Sequence, residues 1–150
     1  MLEPSSTTSI SLHEKLRAHT DAIHLRLHEH PLLTPLLSEN ITIVQYRAIL
    51  EAFYHFYSQA EEAYSEHTGS FVYESRPLEL LVKDFTALEW PVPSPIRKLS
   101  EISFENSTYA HYIGYTYVKQ GSSLGGQHIS KALKNNLGLT RQKNLFFFNG

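Results

Sequence analysis

The 150 residues hold 13 Lys and Arg against 15 Asp and Glu, a formal charge of −2 with the nine histidines neutral, which supplies no field to gather nucleic acid or an anionic membrane. Cysteine is absent, so disulfides, thiolate metal sites and cysteine nucleophiles are excluded together, and a cytoplasmic location is expected. At 41% hydrophobic and 12% aromatic residues the composition is that of an ordinary globular protein, read here as a flexible leader over residues 1–10 and one domain over 11–150.

Residues 1–9 lack both a basic start and an apolar stretch, so they do not form a signal peptide. No apolar run approaches the roughly 18 residues of a membrane span. Ser11-Leu-His-Glu14 has the capping-box pattern and opens a first helix that runs to Glu29, where Pro31 stops it. Along it Leu16, Thr20, Ile23 and Leu27 recur at helical spacing, with His24 at the edge of the stripe. Residues 30–40, with two prolines, read as a connection. Thr42 caps a second helix through Tyr46, Ile49, Leu50, Phe53, Phe56, Tyr57 and Ala60 to a stop near Gly69. Ser75 is expected to cap a third, with Pro77 in its first turn and Trp90-Pro-Val-Pro-Ser-Pro95 at its end. A short turn of helix is expected over 96–101. Asn106 or Ser107 then starts a helix through Tyr109, Tyr112, Ile113 and Tyr117 to Gly121-Ser-Ser-Leu-Gly-Gly126, after which the helical pattern resumes to Leu137. Gly138 reads as a C-cap and Thr140 as the cap of a last piece. No sustained period-two alternation is present, so the fold class is all-α. The strongly apolar ending Leu145-Phe-Phe-Phe-Asn-Gly150 is expected to need cover, and the chain is read as C-terminally truncated.

Five histidines, His13, His19, His24, His28 and His30, crowd the first helix and its exit. Any one of them can be a plain solvent-facing side chain. His24 and His28, four residues apart, could also chelate a metal, but no Glu-x-x-His or His-Glu-x-x-His spacing supports a purely protein-held site. His24 is set apart by its place beside the apolar stripe, with Arg17 seven residues earlier and roughly 10 Å along the same face. An imidazole with a guanidinium two turns away suits a ligand with an apolar body, a metal centre and an acidic edge, which is the shape of haem. The second feature is the glycine cluster at 121–126. It lacks the Lys-Ser/Thr of a phosphate loop and lies between helical segments, so it is either a turn, a kink, or a helix face stripped of side chains for a flat ligand. Tyr112, Tyr115, Tyr117 and the run Phe146–Phe148 are candidates for core or for pocket walls.

Leu16-Arg-Ala-His-Thr-Asp-Ala-Ile-His24 resembles the signature of the biliverdin-forming haem oxygenases, in which Leu, a basic residue, Thr and His are spaced alike. Tyr115-Thr-Tyr-Val-Lys-Gln-Gly-Ser-Ser-Leu-Gly-Gly-Gln127 is similar to that family's glycine-rich distal helix, nearest to the bacterial branch found with bacteriophytochromes, and the closing Phe-Phe-Phe-Asn-Gly150 resembles an aromatic–glycine run of bacterial members. The resemblance implies a helical bundle with haem between a proximal and a distal helix. It places His24 at the iron, and Arg17, Thr20, Thr116 and Tyr117 among the residues that bind the cofactor. Gly121, Ser122, Gly125 and Gly126 fall on the distal helix, with Gly121, Ser122 and Gly125 serving the reaction. The implied activity consumes O₂ and electrons from a reductase or ferredoxin and opens haem to biliverdin, CO and Fe²⁺. A haem- or tetrapyrrole-binding protein of the same fold without turnover is the alternative. Animal-type members carry an acidic residue after the first distal glycine, where this chain has Ser122.

Overall fold

The structure, a computed structural model, describes residues 11–65, 76–94 and 108–149, and of residues 122–124 the backbone alone. Among them there is no strand, in line with the all-α reading. The helices are α1 (Leu12–His28), α2 (Ile43–Ala63), α3 (Pro77–Ala87) and α4 (Tyr109–Leu137), with single 3-10 turns at Thr34–Leu37 and Phe147–Asn149. The leader, the stop near Gly69, the Ser75 cap, the turn over 96–101 and the Asn106 or Ser107 start lie outside the described residues. The chain divides into two compact units, residues 1–34 and 35–150.

In the first unit α1 begins as its sequence predicts. The Ser11 hydroxyl accepts the Glu14 N–H at 3.2 Å, and the Glu14 carboxylate accepts the Ser11 N–H at 2.8 Å. The helix ends at Glu29, whose N–H bonds back to Leu25 and Leu27. None of its residues is buried.

The second unit holds the core. Thr42 and Gln45 form a capping box at the start of α2. Tyr46, Ile49, Leu50, Tyr57 and Ala60 are its buried face, and α2 packs on α3. At the start of α3 Arg76 is the N-cap and makes no side-chain capping bond, while Pro77 sits in the first turn, as expected, where its missing N–H is of no consequence. After α3 the backbone turns through Glu89 in the left-handed region (φ 57°), and the Trp90 N–H closes onto the Phe85 carbonyl at 2.8 Å. Trp90 thereby packs its ring against Tyr46 and Phe85, with the Arg47 guanidinium 5.7 Å over it.

The fourth helix, α4, is one continuous element. Its N-cap is Thr108, whose hydroxyl accepts the His111 N–H at 3.3 Å while the His111 ring receives the Thr108 N–H. The helix also runs unbroken through residues 121–126, 29 residues in all, about 44 Å long. Three glycines at up to about 1 kcal/mol each weaken a helix without ending it when tertiary packing holds its flanks. Gly138, at φ 66°, ends α4 as a left-handed C-cap. Thr140 does not cap a further helix. Its N–H donates to the Asn144 side chain at 2.8 Å and its carbonyl accepts from Lys143 and Asn144, closing a turn, while its own hydroxyl is buried without a partner.

The aromatic ending packs inward. Leu145 and Phe148 are buried, and the Phe147–Asn149 turn lies against α3 and α4. Phe148 approaches Tyr46 and Phe53, and Phe147 approaches Phe53 and Tyr57.

Candidate functional site

On α1, Arg17, Thr20 and His24 are spaced three, four and seven residues apart and so share one face. Arg17 is exposed and makes no ion pair among the described residues. The Thr20 hydroxyl is turned onto its own helix, donating to the Leu16 carbonyl at 3.0 Å. His24 makes no hydrogen bond among the described residues; its ring meets that of His28 edge-on, with centroids 4.6 Å apart. His19 differs, since its Nδ1 lies 2.8 Å from the Lys15 carbonyl. His30 also differs, receiving the Leu32 N–H on Nδ1. Two of the crowded histidines are thus tied to backbone, and His24 is not.

On α4 the expected residues separate into two faces. Tyr117, Gly121 and Gly125 follow at four-residue steps and form a single exposed row. A Cβ added at Gly121 or at Gly125 would meet nothing within 4 Å, so the backbone there is bare and open. Gly114, seven residues before Gly121, continues the row and is equally open. Its place was readable from that seven-plus-four spacing, which the compact cluster at 121–126 obscures. Val118 borders the row and is 59% exposed.

Gly126 belongs to the opposite side. It is buried, and a Cβ there would lie 2.7 Å from the Phe148 carbonyl oxygen and 3.3 Å from its carbon. Its lack of a side chain is demanded by the backbone of the terminal turn. Thr116 also stands off the open row. It is half-buried and donates its hydroxyl to the Tyr112 carbonyl at 2.9 Å. The backbone of Ser122 is one step round the helix from Gly121.

Behind α4 lie residues that the motif reading passed over. Asp84 is completely buried, and its two carboxylate oxygens accept the N–H groups of Phe146 and Phe147 at 2.7 and 2.9 Å. Burial pushes its carboxyl above the usual range, and the two N–H donors pull against that shift. Beside it the Tyr46 hydroxyl is buried without a partner; burial first and the Asp84 charge second drive its pKa far above the ordinary phenol value. Asn149 completes the latch, accepting the Ser130 hydroxyl at 2.8 Å and donating to the Leu145 carbonyl. A sequence signal existed in an acidic residue set amid Leu80, Leu81, Val82 and Phe85 on an apolar helix.

Where the end of α2 meets the middle of α4, Tyr64 stacks on Tyr115 at 5.1 Å and Lys119 sits 5.2 Å over the Tyr115 ring. Glu61 and Lys119 are half-buried neighbours of opposite charge. Desolvation raises the Glu61 pKa and lowers that of Lys119, and each is partly restored by the other. The Tyr115 hydroxyl is buried without a partner, and desolvation drives its pKa well up. Tyr112 is therefore a core residue, and Tyr115 is half-buried beside it.

Among the described residues no group of three or more His, Asp or Glu gathers to hold a metal ion, and no helix is long and apolar enough to cross a membrane. The open row on α4 leaves room for a flat ligand against bare backbone, and on α1 the His24 ring is engaged by no hydrogen bond among the described residues. The family model described as heme oxygenase matches residues 10–150. No curated protein and no solved structure matches the chain.

Proposed function

The chain belongs to the heme oxygenase family, and from that premise we propose that it binds haem and opens it to biliverdin, CO and Fe²⁺, using O₂ and electrons from a reductase or ferredoxin. The observation that carries this reading is the bare backbone row at Gly121 and Gly125 in a family whose substrate is a flat macrocycle. His24 is the iron ligand in this reading, since its ring makes no hydrogen bond among the described residues. Arg17, on the same face of α1 and without a counter-ion among the described residues, meets a propionate, and Tyr117 borders the macrocycle at the head of the glycine row. Thr20 and Thr116 keep their hydroxyl donors on their own helices, so they act through shape and their remaining lone pairs. Gly126 acts from behind, by holding the terminal turn against α4.

Haem supplies the redox chemistry when bound, and the protein supplies position and hydrogen bonds. Bare backbone at Gly121 and Gly125 excludes side chains from one side of the ligand and leaves room for ordered water. In this reading Ser122, which stands in the sequence where animal-type members carry an acidic residue, leaves proton delivery to neutral groups and water. The motif from Tyr115 to Gln127 supports assignment to the bacterial branch found with bacteriophytochromes.

The test is one cuvette. Hemin is added to the protein, a Soret band is recorded, and ascorbate or a ferredoxin system is supplied under air with catalase present. Loss of the Soret band with rising bilin absorbance is the expected result, and His24→Ala is expected to abolish it. A Soret band that persists under turnover conditions would instead mean a haem carrier or sensor built on this fold.

A further inference from the structure

We propose that His24 and His28 form a bidentate site for a tetragonal divalent cation of the Cu²⁺ or Ni²⁺ class, filled in the haem-free protein. Side chains four residues apart on a helix stand one above the other. Here the two imidazoles already meet, centroids 4.6 Å apart and edge-on, and neither ring makes a hydrogen bond among the described residues that a cation would have to break. His28 closes α1, where the carbonyl end of the helix favours positive charge.

The separation favours one class of cation over another. A metal lies about 2.0–2.1 Å from an imidazole nitrogen, hence roughly 3.2 Å from the ring centroid along the lone pair. With both lone pairs turned onto one metal and the centroids kept 4.6 Å apart, the rings would subtend about 90° at it, which suits the adjacent positions of a square-planar or tetragonal ion better than the tetrahedral angle of zinc. Imidazole is a suitable donor for Cu²⁺ and Ni²⁺, and Cu²⁺ binds the more tightly of the two. With no third protein ligand among the described residues, water fills the remaining positions and the ion exchanges readily. A cation on His24 occupies the nitrogen that iron would take, so cation and haem exclude one another. That competition rests on the reading of His24 as the haem ligand, whereas the cation site itself does not.

The full-length chain, free of haem, is titrated with CuCl₂ and followed by electron paramagnetic resonance and calorimetry. The expected result is an axial copper signal with nitrogen hyperfine structure, and an affinity that falls tenfold or more in both His24→Ala and His28→Ala. His19→Ala, whose ring is held by the Lys15 carbonyl, should bind copper as wild type does. Circular dichroism checks that α1 is intact in each variant. Equal copper affinity in wild type and His28→Ala would overturn the site. Hemin is then added to the copper-loaded protein and is expected to release the copper. If hemin binds and copper stays on the pair, the haem-ligand assignment of His24 fails and the cation site stands. If hemin binds normally and neither histidine substitution alters copper affinity, the cation site fails alone.

Discussion

Adding one methyl group to α4 should have opposite effects at adjacent residues. At Gly125 a Cβ meets nothing within 4 Å, so Ala there is free of clash in the haem-free protein. Replacing glycine by alanine in a helix interior gains about 0.8–1.0 kcal/mol. For a chain of this size that raises Tm by about 2–4 °C. The same methyl stands on the face proposed for haem, where it holds the macrocycle off the backbone. Hemin affinity should fall tenfold or more, equivalent to about 1.4 kcal/mol. At Gly126 the helical gain is the same, but the Cβ would lie 2.7 Å from a backbone oxygen of Phe148. Backbone cannot swing aside as a side-chain tip can, and overpacking of this kind costs about 1–3 kcal/mol. The net effect is a loss of up to about 2 kcal/mol, with Tm lowered.

Thermal unfolding followed at 222 nm, with hemin titrations read at the Soret band, measures both quantities on both variants. Gly125→Ala should be more stable and bind haem poorly, while Gly126→Ala should be less stable. A Gly125→Ala protein that is stabilised yet binds hemin as tightly as wild type would refute the assignment of the open row to haem. A Gly126→Ala protein as stable as wild type would mean that the terminal turn yields to the methyl group.

Asp84→Asn leaves one of the Phe146 and Phe147 N–H groups facing an amide donor in a buried site; urea unfolding should show a loss of roughly 2–3 kcal/mol. Glu61 titrates above its ordinary 4.5 in the folded protein, so the fold holds this proton more tightly than the unfolded chain does. Stability of wild type relative to Glu61→Gln should therefore rise on acidification from the folded pKa down to 4.5 and be level outside that window. A pH-independent difference between the two denaturation curves would show that Glu61 is not desolvated. Arg17→Ala should weaken hemin binding or spread the biliverdin isomers seen by chromatography, and unchanged affinity and product would remove Arg17 from the site.

The helices were largely legible because their signals are local. Ser11 with Glu14 and Thr42 with Gln45 are reciprocal caps whose partners lie three residues away, and Gly138 is a C-cap by virtue of its own backbone freedom. At the start of α4 the cap is identified by His111 returning the bond to Thr108, a side-chain reciprocity that composition alone does not announce. The glycine cluster was legible as turn, kink or bare helix face alike, since propensity weighs against helix there and only the flanking packing outweighs it. Asp84 was not legible at all as a latch. Its partners are 62 and 63 residues away, and both are backbone N–H groups that carry no residue identity. For the site, the row at 117, 121 and 125 follows from spacing, whereas the separate placement of Thr116 and Gly126 required knowing which side of α4 the terminal turn covers.

The double glycine at 125 and 126 acquires a physical meaning from that arrangement. Successive helical residues point about 100° apart, and here the two adjacent glycines serve different surfaces. One bares the backbone toward an open face, and the other lets Phe148 close on the opposite side. A helix weakened by glycine on one face needs support on the other if it is to remain a fixed platform. The support here is the terminal turn, anchored to α3 by a buried carboxylate and to α4 by Ser130 and Asn149. A buried charge is unfavourable for stability taken alone, and at Asp84 two backbone donors of an otherwise uncapped turn converge to offset that cost. If this account holds, Asp84→Asn should loosen haem binding along with stability, although Asp84 lies in the core behind the open face. If binding per folded molecule were unchanged in that variant, the open face would be rigid by itself and the latch would serve stability alone.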